Sequence, residues 1–210
     1  MRDVPFFSNT ADDSRCVQAC FRMVLKYFLP QRSFTWKQLD ALTCAELGQG
    51  TWWFPGLLAM KKLGIDPIMI SPLDYRALKQ QGISYLSQIM SSDTAQWYKT
   101  NSNLTSVMDK IPELLESGIW HHRGATWDDV NTLLGNGYLV GIEINAKTLN
   151  GQKGLSPHMV IIFQRLGTGY RLHDPGLPPV PGRVVSRALL SQAWKFDKKD
   201  TSLVAFKKSE

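Results

Sequence analysis

Part-way along this chain the spacing of its apolar residues changes, and that change limits what it can fold into. Up to about residue 118 they recur every three or four positions, as on half-buried helices. From residue 138 onward they gather in short β-rich runs, 138–144, 158–163, 170–173 and 203–206, separated by Gly, Pro and Asn turns. Helices first and strands afterwards give an α+β fold, a helical part packed on a C-terminal antiparallel sheet. The 210 residues support one substantial core, so residues 1–210 are expected to form a single domain.

Within the first part the spacing predicts helices over 17–28, 36–44 (capped by Thr35), 52–63, 75–81, 85–98 and 104–115, with a short strand at 65–70. Thr126 and Asp129 make a capping box for a further helix ending near Leu134. His121 and His122 read as a solvated loop, and Cys44 as a small buried residue on a helix.

Composition excludes several classes of function. The net charge of +6 comes from scattered Lys and Arg whose tight groups, among them Lys198-Lys199 and Lys207-Lys208, are isolated pairs, which is no nucleic-acid stripe. No apolar run approaches the 18 or so residues of a membrane span, and Met1 to Pro5 open no signal peptide, so cytoplasmic residence is the default expectation, with export as an effector left open. Three cysteines argue against a disulfide framework, and Cys16 and Cys20 lack the companions of a zinc site. No metal or other cofactor is called for, and the oligomeric state is left open.

Cys16 falls in the first turn of the 17–28 helix, where unpaired N–H groups and the helix dipole favour a thiolate. Far downstream, His158 opens an apolar strand after a Gly-bearing loop, and Asp174 ends the next strand before Pro175-Gly176. If those strands are neighbours, Asp174 can accept from one imidazole nitrogen while the other faces Cys16. His173 adjoins Asp174 but belongs to the opposite face of its strand, which makes it the weaker candidate for a base. Cys20, one turn along from Cys16, reads as core.

In these residues the chain resembles the papain-like cysteine peptidases of family 39, the bacteriocin-processing type that removes double-glycine leaders, and their stand-alone relatives. The resemblance rests on Val4-Pro5-Phe6-Phe7-Ser8-Asn9, on the run from Cys16 to Leu25, on His158-Met-Val-Ile-Ile and on His173-Asp174-Pro175-Gly176, in order over nearly the whole chain. It implies Cys16 as nucleophile, His158 as base and Asp174 as orienting group, acting on a peptide or related amide through a thioester. It also implies an oxyanion donor at Asn9, where the family has glutamine, and likens the Trp52–Leu63 helix to the family's helix after the first linker. The family's Asp-Cys-Gly is Arg15-Cys16-Val17 here.

Trp52 and Trp53 are candidates either for a substrate groove or for core packing at a helix start. Three other uses of such a chain stay open at this level: a silent peptide-binding module, an acyltransferase or transpeptidase with the same three residues, and a redox protein using Cys16 and Cys20.

Overall fold

The computed structural model describes residues 3–195, 197 and 201–209; Met1, Arg2 and the Lys198-Lys199 pair lie outside them. Three helices come first: α1 (Cys16–Phe28), α2 (Trp36–Thr43) and α3 (Trp53–Lys62). Thr35 caps α2 through the full reciprocal box with Gln38, and Trp52 is the residue before α3. Strand β1 (Ile65–Ser71) follows, then the helices α4 (Tyr75–Gln81), α5 (Leu86–Ile89), α6 (Ser92–Asn101), α7 (Leu104–Val107) and α8 (Ile111–Glu116). The second half holds β2 (Trp120–His122), α9 (Trp127–Gly135), β3 (Leu139–Asn145), α10 (Ala146–Leu149), β4 (Pro157–Leu166), β5 (Gly169–Asp174), β6 (Val180–Ser186), α11 (Arg187–Trp194) and β7 (Leu203–Lys208).

The expected 85–98 and 104–115 helices are each broken in two. Ser91 interrupts the first, since its hydroxyl accepts from Thr94 N–H and starts α6 afresh. The second turns through a 3₁₀ stretch, Met108–Lys110, before α8. Cys44 is not helical: it ends α2 in the left-handed region at φ 51°, and it is only half-buried. His121 and His122 are exposed but lie on β2, not in a loop. Strand β6 falls in a stretch whose Pro-Gly content conceals it from a reading of periodicity, and the eight-residue helix α11 follows it.

Among the described residues, seven strands form one sheet in the order β2-β1-β7-β3-β4-β5-β6, antiparallel except for the β1–β2 pair. β1 is drawn from the helical half, so the sheet is not wholly C-terminal. Its faces alternate along each strand. On one, Met159, Ile161, Phe163, Val204 and Phe206 meet α1 to α8; on the other, Val160, Ile162, Leu172, Leu203 and Ala205 meet α9 and α11. Burial on both faces explains why β4 reads as an unbroken apolar run from Met159 to Phe163. It also holds α1 against β4 and β7, with Phe21 edge-on to Phe206 of β7 at 5.6 Å.

Candidate active site

The sheet order makes β4 and β5 direct neighbours, with Ile161 opposite His173. His158, at the start of β4, and Asp174, the last residue of β5, therefore meet at one rim of the sheet. His158 Nε2 lies 2.8 Å from Asp174 Oδ1, and both side chains are almost fully buried. α1 packs on β4, and half-buried Cys16 at its N-terminus lines the same cleft as His158. Three residues far apart in sequence are thus gathered at one rim.

Their electrostatics reinforce one another. Burial disfavours a Cys16 thiolate, but the hydrogen bond and charge of His158 and the Met159 backbone N–H outweigh it, so the thiol sits below its ordinary pKa despite the Asp13 charge. For His158 burial likewise opposes the charged ring; the hydrogen bonds to Asp174 and Cys16, with their charges, prevail and raise it to about 10. Asp174 is also pushed up by burial and pulled back below its usual value by His158, the Gly176 N–H and Arg183. The thiol is shifted down and the imidazole up, both toward a thiolate facing an imidazolium that is backed by a carboxylate.

Asn9 has other partners than those expected of a free amide donor. Its Nδ2 already donates to Asp13 Oδ1 at 2.8 Å, and its Oδ1 accepts from Thr10 N–H and Arg15 N–H, both at 2.8 Å. Asp13 makes this possible by adopting φ 54°, which folds the 9–15 turn back on itself. The Asn9 N–H donates to Pro175 O at 2.8 Å. Asn9 thereby ties the residue before Cys16 to the residue after Asp174. Arg15, in place of the family's aspartate, packs its guanidinium on Asp40 of α2 at 3.0 Å.

His173 is turned away, as its strand position requires: its Nε2 donates to Val4 O at 2.8 Å and its Nδ1 accepts from Gly182 N–H at 3.0 Å. Cys20 is fully buried and its thiol donates to Met159 O at 3.3 Å. Burial and the Cys16 charge push its pKa well above that of an ordinary thiol, so it stays protonated.

Beside Cys16 and His158 opens a cleft of about 940 Å³, open solvent included. Trp52 and Trp53 both line it, with Val17, Met90, Trp97 and Tyr98. Trp52 is fixed there, its indole N–H on Ser102 Oγ at 3.0 Å and its ring against Tyr98 at 5.5 Å. Glu143, on the same lining, accepts from Tyr98 OH at 2.8 Å. Among the described residues no cluster of His, Cys, Asp and Glu is arranged to hold a metal, and no helix is long and apolar enough to cross a membrane.

Two contributors escape a sequence reading. Arg183 reaches Asp174 Oδ2 at 2.7 Å from β6, and Gly176 donates its N–H to Asp174 Oδ1 at 3.1 Å. The Asp-Pro-Gly turn signals Gly176; nothing local signals Arg183.

The sequence matches no family model and no curated protein. Solved structures are similar along the whole chain. The peptidase domain of Streptococcus ComA, a bifunctional ABC transporter in quorum sensing, superposes with a TM-score of 0.52 at 14% identity, covering 99% of both chains. A double-glycine-motif protease from an AMS/PCAT transporter, solved with its leader peptide, gives 0.50 at 13% identity over 99% of this chain and 94% of that one. A C39-like protein from Bacillus anthracis gives 0.53 at 14% identity over 100% and 98%. The chain has the papain-like α+β fold of C39 peptidase domains.

Proposed function

We propose that the chain is a cysteine peptidase or amidase in which Cys16, His158 and Asp174 act together on a peptide substrate. The observation that carries this reading is Cys16 lying at the same cleft as a His158 ring that is hydrogen-bonded to Asp174, with thiol and imidazole shifted in opposite directions toward an ion pair. The thiolate attacks the carbonyl carbon, and the electron pair moves onto the carbonyl oxygen. Collapse of that adduct expels the amine, which takes its proton from His158, leaving a thioester on Cys16. Water, deprotonated by His158, then releases the acid; an amine in its place would make the same site a transferase.

The Cys16 N–H at the start of α1 is the proposed oxyanion donor, with the second Asn9 amide hydrogen beside it. The Trp52 and Trp53 wall is the proposed seat for substrate side chains. A peptide substrate is supported by the leader peptide bound in the AMS/PCAT relative. The Asn9–Asp13 bond favours one alternative, a groove that binds peptides without cleaving them.

Iodoacetamide labelling of Cys16 at pH 6 tests the site, and comparison of the peptides released in cells expressing wild type or Cys16→Ala tests turnover. Fast labelling that falls at least tenfold in His158→Ala, with products lost in Cys16→Ala, is expected. Slow labelling unchanged by His158→Ala would refute the ion pair. Fast labelling with identical product profiles would mark the silent groove.

A further inference from the structure

Asp174 carries a charge that is 5% exposed, and a buried carboxylate needs more than one neutral partner. Its Oδ1 is taken by His158 Nε2 and the Gly176 N–H, while its Oδ2 meets Arg183 Nη1 at 2.7 Å. The other arm of the guanidinium, Nη2, donates to Leu149 O at 3.1 Å and to Asn150 Oδ1 at 2.9 Å. Those two residues end α10, in the connection between β3 and β4 that runs on into His158. A register shift between β5 and β6 sets this reach: Leu172 faces Arg183 but Asp174 faces Val180, with Gly182 at φ 64°.

We infer that Arg183 is the positioning residue of this site, holding Asp174 in line with His158 and clamping that carboxylate to the chain segment that delivers His158. The inference rests on the proposed roles of Cys16, His158 and Asp174. Arg183 touches no reacting atom. It completes an alternation of charge, Arg183 positive, Asp174 negative, His158 positive and Cys16 negative, so the reactive ion pair forms in a buried cluster of no net charge. A planar fork suits the task because one arm reaches the carboxylate and the other the carbonyl and amide behind it.

The groups facing Asp174 are the His158 ring from β4, the Gly176 N–H of its own turn and Arg183 from β6. Behind the ring stand Cys16, Cys20 and Asp13. With Arg183 gone, Asp174 loses one of the contacts that offset burial and takes up its proton at a higher pH, while His158 and the Gly176 N–H still hold the charged form. A protonated Asp174 no longer supports the imidazolium, so the thiolate forms only at higher pH.

The test is the rate of Cys16 carbamidomethylation from pH 4 to 9 on the full chain, read at Cys16 by peptide mass spectrometry for wild type, Arg183→Gln, Arg183→Lys and His158→Ala. In Arg183→Gln the acid limb should move up by about one pH unit or more, the size expected when a carboxylate loses a charged neighbour. Arg183→Lys, which keeps the charge, should restore most of that shift. A limb that superimposes on wild type, or a rate lowered by one factor at every pH, overturns the inference, because loosened packing would do only the latter. An equal limb shift in Arg183→Lys overturns the role of charge. Arg183→Met replaces the Gln variant if that does not fold. Failure of the underlying proposal is seen separately: wild-type Cys16 would then react as an ordinary thiol and His158→Ala would change nothing.

Discussion

Replacing Gly176 by alanine should slow Cys16 without unfolding the protein. A Cβ built on Gly176 would stand 3.1 Å from Asp174 Oδ1, 3.2 Å from His158 Nε2 and 3.3 Å from His158 Cε1. It would touch both ends of the 2.8 Å hydrogen bond that aligns the ring. Each of these contacts is tighter than an ordinary one, so ring or carboxylate must yield by a few tenths of an ångström. Gly176 does not occupy the left-handed region, so alanine meets no backbone penalty there. A hydrogen bond between charged groups contributes about 1.5–3 kcal/mol. Full loss would slow a step that depends on it by roughly 10- to 150-fold, and partial displacement by about tenfold. The assay pairs Cys16 alkylation at pH 6 with a thermal melt. Slowing of about tenfold with a melting temperature within a few degrees of wild type is expected. An unchanged alkylation rate in a folded Gly176→Ala protein would refute the idea that the His158–Asp174 contact governs the thiol.

Turnover should fall as pH rises through about 10, where His158 loses the proton it must give to the leaving amine; a pH–rate profile of kcat tests this. Gly56→Ala should lower stability by about 1–3 kcal/mol, because its Cβ would lie 2.3 Å from the Phe21 ring and 3.0 Å from Thr43 Cγ2 in the packed junction of α1, α2 and α3; urea unfolding measures it. Asn9→Ala removes the turn that joins Arg15 to Pro175 and should cost about 2–3 kcal/mol by the same measurement, as a buried residue losing several hydrogen bonds. Asp129, bonded to Arg123 and Thr126, has its pKa lowered to about 2, so its contribution is complete above the unfolded value near 4 and fades as pH falls through 2. The gap in urea midpoint between wild type and Asp129→Asn should therefore narrow between pH 5 and pH 2.

Much of the fold is legible because its signals are local. Thr35 with Gln38 and Thr126 with Asp129 state two helix starts in side-chain chemistry alone, and both capping boxes form. The middle of the chain is less readable for a physical reason. Residues 85–98 keep one apolar rhythm through Met90-Ser91, yet Ser91 closes one helix and caps the next, with Asp197 Oδ2 accepting its hydroxyl from 106 positions away. The serine is local, but the carboxylate that holds it at the break leaves no trace in the local pattern. Strand β6 is hidden differently: Pro181 and Gly182 read as a turn, whereas at a sheet edge with a register shift they are tolerated within a strand.

The same division runs through the site. Cys16, His158 and Asp174 can be picked out because each is marked by its element, a helix start, a strand start and a strand end before Pro-Gly, and the strand order then brings the marks together. Partners contributed by tertiary contact carry no such mark. Arg183 is one of many arginines until the β5–β6 shift carries it past Leu172 to Asp174. Asn9 is singled out only through the resemblance, and its partners depend on a left-handed Asp13 four residues on, a conformation that residue type permits and does not announce. Sequence therefore identifies the groups that would do the chemistry, while the groups that set their charge and alignment emerge only once β5, β6 and the 9–15 turn are packed around them. That asymmetry makes Arg183 and Gly176 more discriminating test positions than the three residues they surround. Removing Cys16 or His158 would abolish reactivity under almost any mechanism, whereas a shifted acid limb or a tenfold slowing at intact stability follows only from this arrangement.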